Sequence, residues 1–124
     1  MDALKIEATI DTPAIEFDPE NNVFEMSGRS YPEDTHTFFT PVLEWMEKYA
    51  ESPNEKTRLN IKLQYFNSSS YKPIFDILTC LENINQNGAS AEVDWHYKKD
   101  DWDMKETGEE FAEIIEIPFS FHLL

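Results

Sequence analysis

Little in this sequence invites covalent chemistry. Cys80 is the one cysteine in 124 residues, so no disulfide can close within the chain, and its neighbours Ile77, Leu78 and Leu81 predict a buried small hydrophobe. Three glycines are too few for nucleotide loops that cradle phosphate, and no Gly-x-Ser-x-Gly elbow occurs. No window approaches the length of a membrane span. The start, Met1-Asp2-Ala3-Leu4-Lys5-Ile6-Glu7, lacks the basic flank and apolar stretch of a secretory signal, so a cytoplasmic location is expected. Bases are scarce as well: ten Lys and Arg against 25 Asp and Glu leave a net charge of −15. Such a chain repels phosphate backbones and anionic lipid surfaces, which argues against nucleic acid or membrane as partner.

What is present is bulk for a core. Apolar residues make up 40% and aromatics 14%, enough to exclude disorder as the main state and to expect one domain over residues 1–124. Leu4, Ile6, Ala8 and Ile10 alternate with polar residues as in a strand. Ala14–Phe17 and Val23–Met26 read as a hairpin around Asp18-Pro19-Glu20-Asn21-Asn22. Pro32, Glu33 and Asp34 predict a helix start. Phe38, Val42, Trp45, Met46 and Tyr49 continue at helical spacing, with a kink or restart expected at Thr40 because of Pro41.

Leu59, Ile61, Leu63 and Tyr65 alternate again, and Ile74, Ile77, Leu78, Leu81 and Ile84 have helical period, closed by Gly88 as a left-handed cap. Ala91, Val93, Trp95 and Tyr97 predict the next strand. A third helix from about Asp103 turns Met104, Phe111 and Ile114 inward and Glu106, Glu109, Glu110 and Glu113 outward, with Gly108 a weak point. Ile115, Ile117, Phe119 and Phe121 predict a last strand, placed at an edge by Pro118. The alternation specifies an α/β fold: a single mixed sheet of about five to six strands with three main helices and right-handed crossovers.

The most informative segment is Leu63-Gln64-Tyr65-Phe66-Asn67-Ser68-Ser69-Ser70-Tyr71-Lys72-Pro73, where hydroxyls fall between a buried strand and an apolar helix. Such junctions are where open α/β sheets bind ligands. If Pro73 occupies the first helical turn, Ser69 or Ser70 is the N-cap, and capping competes evenly with a functional hydroxyl as the reason for the run. One cap needs one serine, which leaves Ser68 free ahead of the helix. A phosphate there would bring about −1.5 to −2 charges to the positive helix end and obstruct a docking partner.

Other constellations point to structure. His36, His96 and His122 lie on different elements without metal-ligand spacing, and Asp100, Asp101 and Asp103 lack the pattern of a calcium loop, so no metal site is expected. The aromatics fit core positions, except Trp102, which stands among acids as a candidate interface residue.

Several segments together resemble the SiaC-like regulatory phosphoproteins across nearly the whole chain. They are Thr12-Pro13-Ala14-Ile15, Ser30-Tyr31-Pro32-Glu33, Tyr65-Phe66-Asn67-Ser68-Ser69-Ser70, Val93-Asp94-Trp95-His96-Tyr97, and Gly108-Glu109-Glu110-Phe111 running on to Pro118-Phe119. The resemblance implies a variant of the STAS fold of anti-sigma factor antagonists, with the regulated hydroxyl at this strand-to-helix junction. It also implies a non-catalytic, cofactor-free switch. A Ser/Thr protein kinase phosphorylates the domain, a PP2C-type phosphatase reverses this, and the unphosphorylated form binds and activates a diguanylate cyclase that promotes biofilm formation. By position Ser68 matches the phosphorylated residue, serine replacing the threonine of the characterised member. Asn67, Ser69, Ser70, Tyr71 and Lys72 then form the switch loop and partner contact. Two other readings compete: an anti-sigma factor antagonist that sequesters a kinase or anti-sigma factor, and a small hydrolase using Ser69, which lacks an evident base and oxyanion donors.

Overall fold

The alternating segments pair into one six-stranded sheet. A computed structural model of residues 1–124 gives the order β1 (Leu4–Ile6), β2 (Ala14–Asp18), β3 (Val23–Ser30), α1 (Thr35–Tyr49), β4 (Lys56–Phe66), α2 (Ser68–Gln86), β5 (Ser90–Tyr97), α3 (Trp102–Ile114) and β6 (Phe119–Leu123). Spatial order equals chain order. β1, β2 and β3 are antiparallel neighbours, whereas β3, β4, β5 and β6 run parallel, joined in turn by α1, α2 and α3. Three successive right-handed crossovers that step in one direction put every helix on the same face. The result is the mixed α/β sheet with three helices expected from the sequence.

The period of two decides which face is core. In β4, Thr57, Leu59, Ile61 and Leu63 are buried while Lys56, Arg58 and Gln64 are exposed. Ala91, Val93 and Trp95 of β5 face the same way. With Phe39, Val42 and Met46 of α1, Ile74, Ile77, Leu78, Leu81 and Ile84 of α2, and Met104 and Phe111 of α3, they form one continuous core cluster. The opposite face is open and polar, and its charges cancel locally. Lys62 pairs with Glu25 at 2.9 Å and Arg58 with Glu92 at 2.6 Å and Asp94 at 3.3 Å, while His122 Nε2 lies within hydrogen-bond distance of Asp94, 3.0 Å away. The excess negative charge therefore sits on the helical side and the loops.

The structure departs from the sequence reading at several places. β1 stops at Ile6, because the Thr9 hydroxyl accepts from the backbone N–H groups of Asp11 (3.3 Å) and Thr12 (3.0 Å) and folds the strand's expected continuation into a turn. Helix α1 starts at Thr35, later than Pro32 suggested, since Asp34 is the cap and accepts from Thr37 N–H at 3.1 Å. It runs through Pro41 as one helix, and Phe39 rather than Phe38 takes the fully buried position. Ile114, expected inside, is 54% exposed at the end of α3. The last strand begins only at Phe119; Ile115 and Ile117 are buried in the connection before it.

Two glycines are used where no other residue fits as well. Gly88 follows α2 with φ +105, the left-handed stop expected from the sequence. Gly108, read as a weak point in α3, is where that helix meets the sheet: an added Cβ would lie 2.5 Å from Trp95 Nε1. Absence of a side chain lets the indole of Trp95 reach the carbonyl of Met104, to which it donates at 3.0 Å.

Candidate functional site

The junction between β4 and α2 lies at the carboxyl end of the central strand, next to the end of β3 and the start of α1. Asn67 caps α2. It adopts the extended conformation (φ −84, ψ 171), and its Oδ1 accepts from the N–H of Ser70 at 3.2 Å, the hydroxyl of Ser70 at 2.9 Å and the hydroxyl of Ser69 at 3.0 Å. The cap is thus Asn67, not Ser69 or Ser70, and Ser68 is the first residue of the helix instead of standing ahead of it. Pro73 misled the register because it sits in the second turn of α2, where the helix tolerates the missing donor to the Ser69 carbonyl. Asn is as good a cap as Ser, and here it can serve three donors at once.

The three serines have different fates. Ser70 is fully buried; its hydroxyl lies 2.9 Å from that of Ser30 and donates to the Ser30 carbonyl at 3.1 Å. Ser69 is exposed but held, with its hydroxyl 2.8 Å from that of Thr35 at the first position of α1. Ser68 is exposed, and its hydroxyl takes no part in this network. The Asn67 N–H also donates to the Ser30 carbonyl at 2.9 Å, so the whole junction is fastened to β3.

The two following residues of the switch segment diverge. Tyr71 is half-buried and stacks on Phe111 of α3, ring centroids 4.6 Å apart at 22°. Lys72 is exposed and pairs with Asp76 one turn later in α2. Thr35 and Ser30 are the members that sequence reasoning missed. Both come from elements 34 and 40 residues away in the chain, and no local spacing marks them.

Around the junction the surface is partly apolar. Tyr65, two residues before the cap, is 51% exposed and lies edge-on to Tyr31, with ring centroids 5.9 Å apart. A small cleft of about 210 Å³ beside it is lined by Tyr65, Phe66, Asp101, Asp103, Met104 and Thr107. Trp102, at the first position of α3, is 63% exposed and has Lys105 Nζ 5.7 Å from its ring centre. Hydrogen bonds from Thr37 hold the carboxyl of Asp34, beside Thr35, below its ordinary range. The rim at the carboxyl ends of the strands therefore combines exposed aromatic rings, carboxylates and one unengaged hydroxyl.

Elsewhere the chemistry is subdued. His96 and His122, far apart in sequence, stack on the open sheet face 5.0 Å apart, while His36 lies on α1. No group of three or more His, Cys, Asp or Glu side chains converges as metal ligands. Cys80 is half-buried and free, and burial followed by the charges of Glu47 and Asp76 pushes its thiol up to about 11. No helix is long and apolar enough to cross a membrane.

Comparison with known proteins agrees with this geometry. A family model described as "SiaC family regulatory phosphoprotein" matches residues 6–124. An uncharacterized protein of Pseudomonas aeruginosa strain UCBPP-PA14 is 36% identical over 120 residues, covering 97% of this chain and 95% of its own. The crystal structure of apo-SiaC from Pseudomonas aeruginosa superposes with a TM-score of 0.89 at 35% identity, over 98% of this chain and 99% of that one. A chain in the crystal structure of the diguanylate cyclase SiaD in complex with its activator SiaC, from the same organism, gives a TM-score of 0.91 at 35% identity over 98% and 99% of the two chains. The fold, a mixed sheet with three helices, is shared with the solved SiaC structure over nearly the full length of both chains, and the family model matches nearly the whole sequence; the chain belongs to the SiaC family of regulatory phosphoproteins.

Proposed function

We propose that the chain is a non-catalytic partner switch controlled by phosphorylation of Ser68. Its unphosphorylated form binds and activates an output protein of the diguanylate cyclase class; a Ser/Thr kinase adds the phosphate and a PP2C-type phosphatase removes it. The observation that carries this reading is the sorting of the serines: Ser70 is buried, Ser69 is held between Thr35 and Asn67, and Ser68 alone combines exposure with an unengaged hydroxyl. The SiaC chain in the solved cyclase complex supplies the partner class.

The chemistry is consistent with this. A phosphate at the first position of α2 adds about −1.5 to −2 charges and three acceptor oxygens at the positive end of a helix, where the folded chain accommodates it. A partner packed on Tyr65 and the cleft beside it meets that charge at a desolvating contact, and binding weakens. Hydrolysis has no comparable support: the partners of Ser69 and Ser70 are hydroxyls, Asn67 and a backbone carbonyl, none of them a general base.

The test is to treat the protein with its cognate kinase, locate the phosphate by intact mass and peptide mapping, and repeat with Ser68→Ala. Modification is expected on Ser68 and lost in the variant, and Ser68→Glu is expected to lose the cyclase. Phosphate found only at other residues would overturn the assignment. Co-purification of an anti-sigma factor in place of a cyclase would move the output to the other partner-switching class.

A further inference from the structure

Away from the junction, the two edges of the sheet are treated unequally. Exposed edges template pairing with foreign strands, and chains guard them with brevity, charge or proline. β1 is guarded: it is three residues long and carries Lys5, which pairs with Glu16 and Asp18. β6 is not. Phe119-Ser120-Phe121-His122-Leu123 contains no proline and no carboxylate, lysine or arginine, and it pairs only with β5.

The hydrogen bonds fix which groups of β6 are unpaired. Val93 N–H donates to the Pro118 carbonyl and Leu124 N–H to the Tyr97 carbonyl, so residues 118 and 124, and by the period of two 120 and 122, direct their backbone toward β5. The N–H and C=O groups of Phe119, Phe121 and Leu123 point outward. The side chains of these residues lie on the helical side in register with Val93, Trp95 and Tyr97. Phe119 and Phe121 are only half-buried and Leu123 is 62% exposed. An outward ladder and an apolar row therefore coincide.

Charge selects the occupant. α3, which joins β5 to β6 and packs on Trp95 of β5, carries Glu106, Glu109, Glu110 and Glu113 on its exposed side, with Lys105 its one base. A second copy paired edge to edge about a two-fold axis would bring two such helices together on one face, with −15 on each chain. A basic strand suffers no such repulsion. We infer that the β6 edge is a second docking surface, which accepts an extended segment of a partner protein by strand addition. On the segment's face that lies on the helical side, apolar side chains cover Phe119, Phe121 and Leu123, and lysines or arginines at the ends of that same row are attracted by the carboxylates of α3. This surface is independent of Ser68.

The probes are a short extended peptide in which every second residue forms one row, valines flanked by lysines, with threonines in between, and its counterpart with glutamates in place of the lysines, added to the full chain labelled with ¹⁵N. The lysine peptide is expected to shift and protect the amides of Phe119, Phe121 and Leu123, and the glutamate peptide to leave them unchanged. Leu123→Pro removes one outward donor without touching the ladder to β5, and should weaken binding about tenfold, the effect of one bond with its packing. Glu109→Gln with Glu113→Gln, which leaves the strand intact, should weaken it several-fold and reduce its salt dependence. Shifts confined to α3, binding unaffected by Leu123→Pro, or protection of the same amides by dimerisation without peptide would each overturn the proposal.

Discussion

The hydroxyl of Ser69 meets the hydroxyl of Thr35 at 2.8 Å, joining the first turn of α2 to the first turn of α1 across 34 residues of chain. Because both groups are exposed, the link contributes little stability, about 1 kcal/mol or less. Its effect is on geometry, since it engages the exposed Ser69 hydroxyl and leaves that of Ser68 unengaged. Thr35→Ala is expected to change the midpoint of urea unfolding only slightly and to let kinase-dependent phosphate appear on Ser69 as well as Ser68. Peptide mapping that finds Ser68 as the sole site in Thr35→Ala would refute this role for the link.

Asn67 is the most exacting position of the junction. Its side-chain carbonyl serves the Ser70 N–H and two hydroxyls. Asn67→Ala removes a helix cap, which costs about 1 kcal/mol, and takes one acceptor from the hydroxyls of Ser69 and Ser70, which keep Thr35 and Ser30 as partners. Asn67→Asp keeps the acceptor and adds a charge at the favourable helix end, so it should be close to neutral in chemical denaturation. A large loss in Asn67→Asp would show that the amide NH2 matters instead.

Gly108→Ala tests the contact between α3 and the sheet. In an ordinary helix interior this change stabilises by up to about 1 kcal/mol. Here the new methyl would fall 2.5 Å from the Trp95 indole, which is fully buried and donates to Met104. Overpacking should win, destabilising the chain by about 1–3 kcal/mol with a change in tryptophan fluorescence. Stabilisation would mean that the ring can move aside.

Stability should fall on mild acidification because of His96. Burial, followed by the charges of His122 and Lys62, holds its pKa below the ordinary 6.5. Between the lowered folded value and 6.5 the unfolded chain binds more protons, so stability is highest above about 6.5 and declines as pH drops through that window. His96→Gln should flatten this slope in unfolding curves collected between those limits. The lowered carboxyl pKa values of Asp18, Asp34 and Glu92 act separately, their contribution fading only at more acidic pH.

Much of the fold was legible because it is written in short-range periodicity. Leu59, Ile61 and Leu63 alternate, Ile74 to Ile84 repeat at helical spacing, and Gly88 marks a stop; each pattern is local and survives in the structure. The boundaries were less legible wherever a side chain reached the backbone a few residues away. Thr9 ended β1 early and Asn67 started α2 early in this manner. Gly108 read as a flaw because its reason, the face of Trp95, lies on another element.

The sequence by itself determined a single α/β sheet with three crossover helices, the acidic character of the surface, and a serine run at the junction of the central strand, because composition and period act on neighbours in the chain. The cap argument also singled out Ser68, but through a cap at Ser69 or Ser70 that the structure moves to Asn67; only the tertiary structure shows what engages the other two serines. That engagement depends on Ser30 and Thr35, brought to the junction from β3 and α1 by the packing of the sheet, and hydrogen bonds that close over 34 and 40 residues leave no trace in any local pattern.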